Sequence, residues 1–580
     1  MGGLPWTPTR IPGLAGRLIG AAVIAALAAG CSGGGGTSAV PSSPTAPQAP
    51  ASAGMALVTF TMKWNGTTTT SSVRTPRYVP PTARSVSVTV NGGTPQYLNA
   101  PASTITIDAP VGTDTFVFQT YDEQNGQGNV LSRASVTQTI VSGAANSVTA
   151  VLNGVVASVT VSLSNAAPNA GVPATVNVNV AARDADGNTI VGPGDYSVPI
   201  HLAVNDPTNS GTLSLSTNNL QSPSSTATLT YNGGTLNSGL PAGPTATVAV
   251  TGTGIAPVST AFTPKPTIYQ FSIPTASNKP RYIAAGSDGN MWFTEQPGNA
   301  VARITPAGVV TEFPVPTPNA FDAPNGVGPH IIGASDGNLW FTESGATANK
   351  IAKITTTGTI TEFSTLFAPP PADQPFGLVD RGDGNIWYVA HGSSRVGFVS
   401  YNGSQAGETS VPTANSGPFG IATAPDGNLY YTEQNVDKIG RVHDLFTPQS
   451  EISLTATSSP QDIVRGPDGN LWFTENGRGQ IGRLSTSFSL TEFPVPTQQG
   501  APWSITVGQD GALWFTEQGQ PLSVVDKIGR VTTGGTVIDF ASPISGLALQ
   551  GIATAPDGSI WFCEPGSSPA TPGRIGKLVY

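Results

Sequence analysis

Residues Ala334–Glu343 read ASDGNLWFTE, and close copies recur along the second half of this 580-residue chain. An Asp-Gly pair, a small residue, an apolar residue and two aromatics begin at Asp288, Asp336, Asp383, Asp426, Asp468, Asp510 and Asp557. The intervals are 48, 47, 43, 42, 42 and 47 residues. In the fifth copy, Asp468-Gly469-Asn470 is a turn, because Gly takes positive φ freely and Asp or Asn bonds its own backbone. Leu471–Glu475 is aromatic and branched, hence a strand. Gln461–Val464 precedes it, and Ile481–Leu484 and the Pro-bearing Leu490–Thr497 follow. Proline cannot donate to a ladder, so the last belongs at a sheet edge. Four strands per unit with a period in the forties predict β-propeller blades. Seven copies predict seven blades.

The ends of the repeat array predict how the ring closes. Outer-strand segments follow the first six copies, at Thr311, Thr361, Glu408, Glu451, Thr491 and Val537. The seventh copy runs to Tyr580 without one, and the matching segment, Ile268–Pro274, stands before the first copy. Pairing the two would leave no free sheet edge. The six tryptophans Trp292, Trp340, Trp387, Trp472, Trp514 and Trp561, with Tyr430 in the remaining copy, are expected to pack between blades.

Upstream, the chain is expected to be β as well, which makes the fold class all-β throughout. Short alternating strands (VSVTV at 86–90, ASVTVSL at 157–163) predict two β-sandwich domains, 55–154 and 155–265, before a propeller over 266–580. The second sandwich resembles bacterial immunoglobulin-like modules, and the pair is read as a stalk. Asp184, Asp186 and Asn188 have the look of a calcium loop but lack a Glu at its twelfth position, so a hairpin turn is the reading. His201 is read as structural.

Residues 1–30 form a targeting segment: Arg10 and Arg17 precede the apolar run Leu18–Gly30, too short for a permanent span. With Leu27–Cys31 it resembles a lipoprotein signal peptide, although Leu27 stands four residues before Cys31. Resemblance implies cleavage before Cys31 and lipidation there; a plain secretory signal is the alternative. Residues 31–54, rich in Gly, Ser, Pro, Ala and Thr, read as a disordered tether. The expected location is the cell envelope, lipid-anchored on the extracytoplasmic side. A net charge of −9 gives no basic stripe for nucleic acid, and a monomer is expected. The second cysteine, Cys563, replaces the Thr of its repeat and has no partner once Cys31 is modified.

Strand order brings the residue after each pre-strand Pro and the Glu closing each WFTE to the same end of the ring. The Glu recurs in six copies (Glu295, Glu343, Glu433, Glu475, Glu517, Glu564), as scaffold residues do. The residues after the Pro or its equivalent differ: Arg281, His330, Phe376, Phe419, Gln461, Trp503 and Gln550. In the third copy Ala390 replaces the Glu and His391 follows. His330, Glu343 and His391 are therefore candidates for a polar cluster, with His330 and His391 as catalytic bases and Glu343 as a metal ligand. Arg281, Phe376, Phe419 and Trp503 would contact a small-molecule or peptide-like ligand.

The PDGNLWFTE…KIGRI…TEFPVPT pattern resembles the streptogramin B (virginiamycin B) lyase family, over about Thr267–Tyr580. The resemblance implies a seven-bladed propeller that opens a cyclic depsipeptide by eliminative ester cleavage with Mg²⁺. It implies a catalytic histidine at His330, in Pro329-His330, and an acidic partner at Glu343. The neighbouring blade-start positions hold Arg281 and Phe376, so the second histidine would have to be His391. Two functions follow as expectations: a lyase-like envelope lipoprotein, or a propeller that binds a ligand without chemistry.

Overall fold

The computed structural model describes residues 54–62, 64, 79–191, 194–206, 211–236, 245–275, 277–323, 328–345, 348–365, 373–447, 449–497, 500–519, 526–543, 548–566 and 572–580. The leader, Cys31 and the tether up to residue 53 lie outside them. Among the described residues from 55 onward, the regular secondary structure is strand apart from one short 3-10 turn at Gln124–Gly126.

The first strands build a three-stranded sheet around Met55–Thr61 and a five-stranded sheet around Gly112–Tyr121. Alternation drives their pairing: Val58 and Phe60 point inward and meet Phe116 and Phe118 across one core. Two four-stranded sheets follow, centred on Ala174–Arg183 and Ile200–Asn205, and enclose a second core that includes Val176, Leu202, Leu229 and Phe262. The Asp184 segment is a turn, with the Asp184 Oδ1 accepting the N–H groups of Asp186 and Asn188 at 3.1 and 2.9 Å. His201 lies across the sheet from Asn219, Nδ1 to Oδ1 2.5 Å.

From Thr267 onward the chain forms seven four-stranded sheets. Six run innermost to outermost in sequence order, beginning with Lys279–Ala285 and ending with Val537–Ala541. In the seventh, Thr267–Ser272 pairs antiparallel with Arg574–Val579, Thr267 opposite Val579 and Ser272 opposite Arg574. Each innermost strand touches the next in order, and Lys279–Ala285 meets Ile552–Thr554 to complete the ring. This is a propeller-like arrangement whose first and last segments share one sheet.

What holds neighbouring sheets together is written in the repeat. Trp292, Trp340, Trp472 and Trp514 are fully buried, and each donates its indole N–H to the Asp of its own Asp-Gly turn at 3.0–3.2 Å. Tyr430 does the same through its hydroxyl, 2.9 Å from Asp426. The turn aspartate therefore satisfies the one polar atom that the aromatic buries. The Thr of WFTE stitches one sheet to the next. Thr432 Oγ1 accepts the N–H of Gly420 in its own sheet at 2.8 Å and donates to the Gln461 carbonyl of the following sheet at 2.5 Å. Thr294, Thr474 and Thr516 repeat the donation to the next sheet. Cys563 holds this position in the seventh sheet, fully buried and beside Arg281.

Residues 55–580 hold together as one compact unit. The second pair of sheets is clasped to the propeller-like ring: Tyr269 Oη donates to the Ala170 carbonyl at 2.6 Å, and the Leu236 N–H reaches Tyr580 O at 3.1 Å. Tyr580 is buried against Trp514, 4.7 Å between ring centroids.

Candidate functional site

Five of the seven innermost strands bulge immediately after their proline, so the register slips between Pro280 and Ile283, Pro375 and Leu378, Pro418 and Ile421, Pro460 and Ile463, and Pro502 and Ile505. A bulge turns its extra residue out of the ladder. Here it turns one side chain per sheet over the end of the ring.

Four of these side chains close the axis. Tyr282 of the first sheet meets Phe376 of the third at 5.4 Å, and Phe376 meets Phe419 of the fourth at 4.1 Å. Phe419 meets Trp503 of the sixth at 5.8 Å, and the Trp503 indole donates to Tyr282 Oη at 3.1 Å. Three of these contacts join sheets two places apart, so the rings reach across the mouth of the ring and form a plug. Phe376 and Phe419 are 1% and 2% exposed. They were expected to face a ligand; instead they pack on each other and on aromatics two sheets away, because the ring is narrow enough for these side chains to meet. Trp503 keeps partial exposure.

Polar side chains surround the plug, and several have no partner. Arg281 Nε, His330 Nδ1, His391 Nδ1, Gln461 Oε1 and Gln550 Oε1 are all buried without a hydrogen bond. His330 packs on Tyr282 and Phe376, with centroids 4.7 and 5.8 Å away. Burial pulls its imidazole down to about 4, so the ring is neutral at physiological pH. His391 stands over the edge of Phe419, 6.2 Å between centroids. Burial lowers its pKa also, opposed by the Pro418 and Gly417 carbonyls. Phe376 and Phe419 lie between the two histidines. Burial likewise holds Arg281 below its ordinary value, against the smaller effects of Tyr282 and Cys563.

Glu343 does not join this group. Pairing places the strand-end glutamates at the expected end, with Glu295 opposite Pro280, Glu433 opposite Pro418 and Glu475 opposite Pro460. Their side chains, however, point into the seams between sheets. The strand alternates: Thr342 accepts the His330 N–H at 2.9 Å, so the adjacent Glu343 must face the other way. There its charged neighbours are Glu362 and Lys350, and burial raises its carboxyl to about 8. Glu362 itself takes Thr317 N, Thr317 Oγ1 and Lys350 Nζ at 3.0, 2.9 and 2.6 Å. A protonated, seam-bound carboxyl is a poor metal ligand, and among the described residues no three His, Cys, Asp or Glu side chains are grouped to hold an ion. The residues present do not fit Mg²⁺ at His330 and Glu343.

Sequence reasoning also passed over Asp462. It neighbours Gln461 on the fifth innermost strand and faces the channel beneath the plug. Its carboxylate accepts Ser504 Oγ at 2.6 Å, Ile505 N at 3.1 Å and Ile463 N at 2.9 Å. The signal was available: the residue immediately after the blade-start position is Tyr282, Ile331, Gly377, Gly420, Asp462, Ser504 and Gly551, only one of them charged.

No curated protein matches the chain. Among solved structures, a streptogramin B lyase is 32% identical over 54% of this chain and 97% of its own, with a TM-score of 0.48. Virginiamycin B lyase from Staphylococcus aureus is 31% identical over 55% of this chain and all of its own, with a TM-score of 0.47. A catalytically inactive form of that enzyme with quinupristin gives the same figures, 31% identity, 55% and 100% coverage and a TM-score of 0.47. The family model matches residues 231–407 and 404–577, more than half of the sequence, and the chain belongs to the virginiamycin B lyase family.

Proposed function

We propose that the plugged end of the propeller binds a small peptide-like ligand and does not cleave it. The observation that carries this reading is the set of five buried polar atoms left without partners around an aromatic floor. A buried donor or acceptor without a partner costs about 1–3 kcal/mol, and five of them at one end of the ring mark a place where a ligand supplies what the protein withholds. Two are amide oxygens that accept N–H groups, one is an Arg N–H that donates to a carbonyl, and two are imidazole nitrogens. That mixture suits amide and ester groups on a ligand whose apolar parts rest on Trp503 and the plug.

The lyase reading is weaker on this geometry. A histidine pulled down to about 4 is a poor general base near neutrality, and Glu343 is turned away from it. Within the same proposal, the seven sheets are the blades of a seven-bladed propeller and residues 55–154 and 155–265 are sandwich modules, the second immunoglobulin-like. Cys31 would carry the lipid that fixes the chain to the outer face of a membrane, as a monomer.

Quinupristin is a suitable first probe, since a relative was solved with it. In calorimetric titration, Gln461→Leu and Gln550→Leu are each expected to weaken binding about tenfold or more. The same variants are expected to raise stability by about 1 kcal/mol, because each removes an unsatisfied buried oxygen. Unchanged affinity in both variants would refute the assignment.

A further inference from the structure

Beneath the plug the ring encloses a channel of about 690 Å³, and its lining continues from Tyr282 and His330 to Ser287 and Arg465 beside the Asp-Gly turns. Ser287 and Arg465 are exposed, so the channel opens at that end. It is separated from the site above by Phe376, Phe419, Tyr282 and Trp503. Every innermost strand is the last of its sheet, so its unpaired backbone N–H and C=O groups border the channel.

Two of the lining residues are an acid and a strong base: Asp462 at the closed end, whose carboxyl burial pushes up against the hydrogen bonds from Ser504, Ile505 and Ile463, and Arg465 at the open one. Among the described residues neither is in an ion pair. Ser504 Oγ and two backbone N–H groups fix the Asp462 carboxylate, and they satisfy its oxygens only in part: Oδ1 accepts one bond and Oδ2 two. Asp462 and Arg465 stand three strand positions apart, which puts their Cα atoms about 10 Å from one another at the usual rise. The wall thus presents a negative charge deep inside, a positive charge at the rim and free backbone groups between.

We propose that this channel is a second binding site, which takes an extended peptide of about three residues from the Asp-Gly face. Its ammonium end lies on Asp462 and its terminal carboxylate on Arg465. A free tripeptide in extended form spans the same distance of about 10 Å. Its amides pair with the open edges of the innermost strands, as an added strand pairs with a sheet edge. The cavity is large enough, since pockets for ligands of this size run from about 300 to 1,000 Å³. Neutral His330 at the closed end does not repel the incoming ammonium.

The test is calorimetric titration of the chain with triglycine, N-acetyl-triglycine and triglycinamide. Triglycine is expected to bind, and blocking either end to weaken it about tenfold or more, as loss of a charge-assisted contact does. Asp462→Asn should reproduce the effect of the acetyl block and Arg465→Gln that of the amide. The Arg465 side chain is exposed and, among the described residues, in no ion pair, so its variant stays informative if Asp462→Asn fails to fold. Gln550→Leu, which disables the site above the plug, should leave triglycine binding unchanged, so that one site can fail without the other. No binding of triglycine, or binding indifferent to both blocks and to Arg465→Gln, overturns the proposal.

Discussion

Unfolding of this protein in urea is expected to become markedly easier as the pH is raised from about 5 to about 9, by several kcal/mol in total. The cause is the row of strand-end glutamates in the seams. Burial raises Glu295 and Glu343 from 4.5 to about 8, with Glu312 and Glu362 adding to the shift. Burial raises Glu433, Glu475, Glu517 and Glu564 from 4.5 to about 7. Between those values the native chain holds protons that the unfolded chain has released. Stability therefore falls as the pH climbs through this window and levels off once the native carboxyls have ionised. Each tenfold difference in proton affinity is worth about 1.4 kcal/mol, against a total stability of about 5–15 kcal/mol for a domain. Glu362 and Glu451 act the other way. Burial alone would raise them, but the hydrogen bonds from Lys350 and Lys438 hold them below the ordinary value. Their contribution is lost only in more acidic solution. Glu343→Gln, which keeps the shape and removes the charge, should flatten the profile and stabilise the chain at about pH 9 relative to the unmodified protein. A flat profile would mean that the seams admit water and the glutamates ionise freely.

Phe419→Ala is expected to cost about 3–5 kcal/mol, the usual penalty for emptying a packed aromatic site. Phe419 is 2% exposed and touches rings of three other sheets or loops: Phe376 at 4.1 Å, Trp503 at 5.8 Å and His391 at 6.2 Å. Collapse is hard there, because the neighbours are anchored on strands of different sheets. The substitution should also join the upper site to the channel and shift Trp503 fluorescence to the red as water reaches the indole. A loss below about 1 kcal/mol with unchanged fluorescence would show that the rings do not form a continuous plug.

The repeat was legible because its residues do the same job in most of the sheets. Trp on Asp, Thr across the seam and Gly at the turn each answer a local requirement, so their spacing alone discloses strands, turns and ring closure. The end at which the irregular residues gather was legible too, from strand direction. Radial position was not. Whether Glu343 faces the axis or a seam depends on the phase of alternation along its own strand, which leaves no mark in composition. The plug escaped for a similar reason: Phe376 and Phe419 read as ligand-facing one sheet at a time, and only the diameter of the ring shows that they meet. Asp462 was hidden by attention to its neighbour Gln461, although it breaks the repeat as plainly.

The most direct test of the binding reading is prolonged incubation of the purified protein with a cyclic depsipeptide, followed by mass spectrometry of the ligand and of the complex. A bound ligand of unchanged mass, still cyclic with or without added Mg²⁺, is the predicted result. A ring-opened product that disappears in His330→Ala would contradict it and restore the lyase.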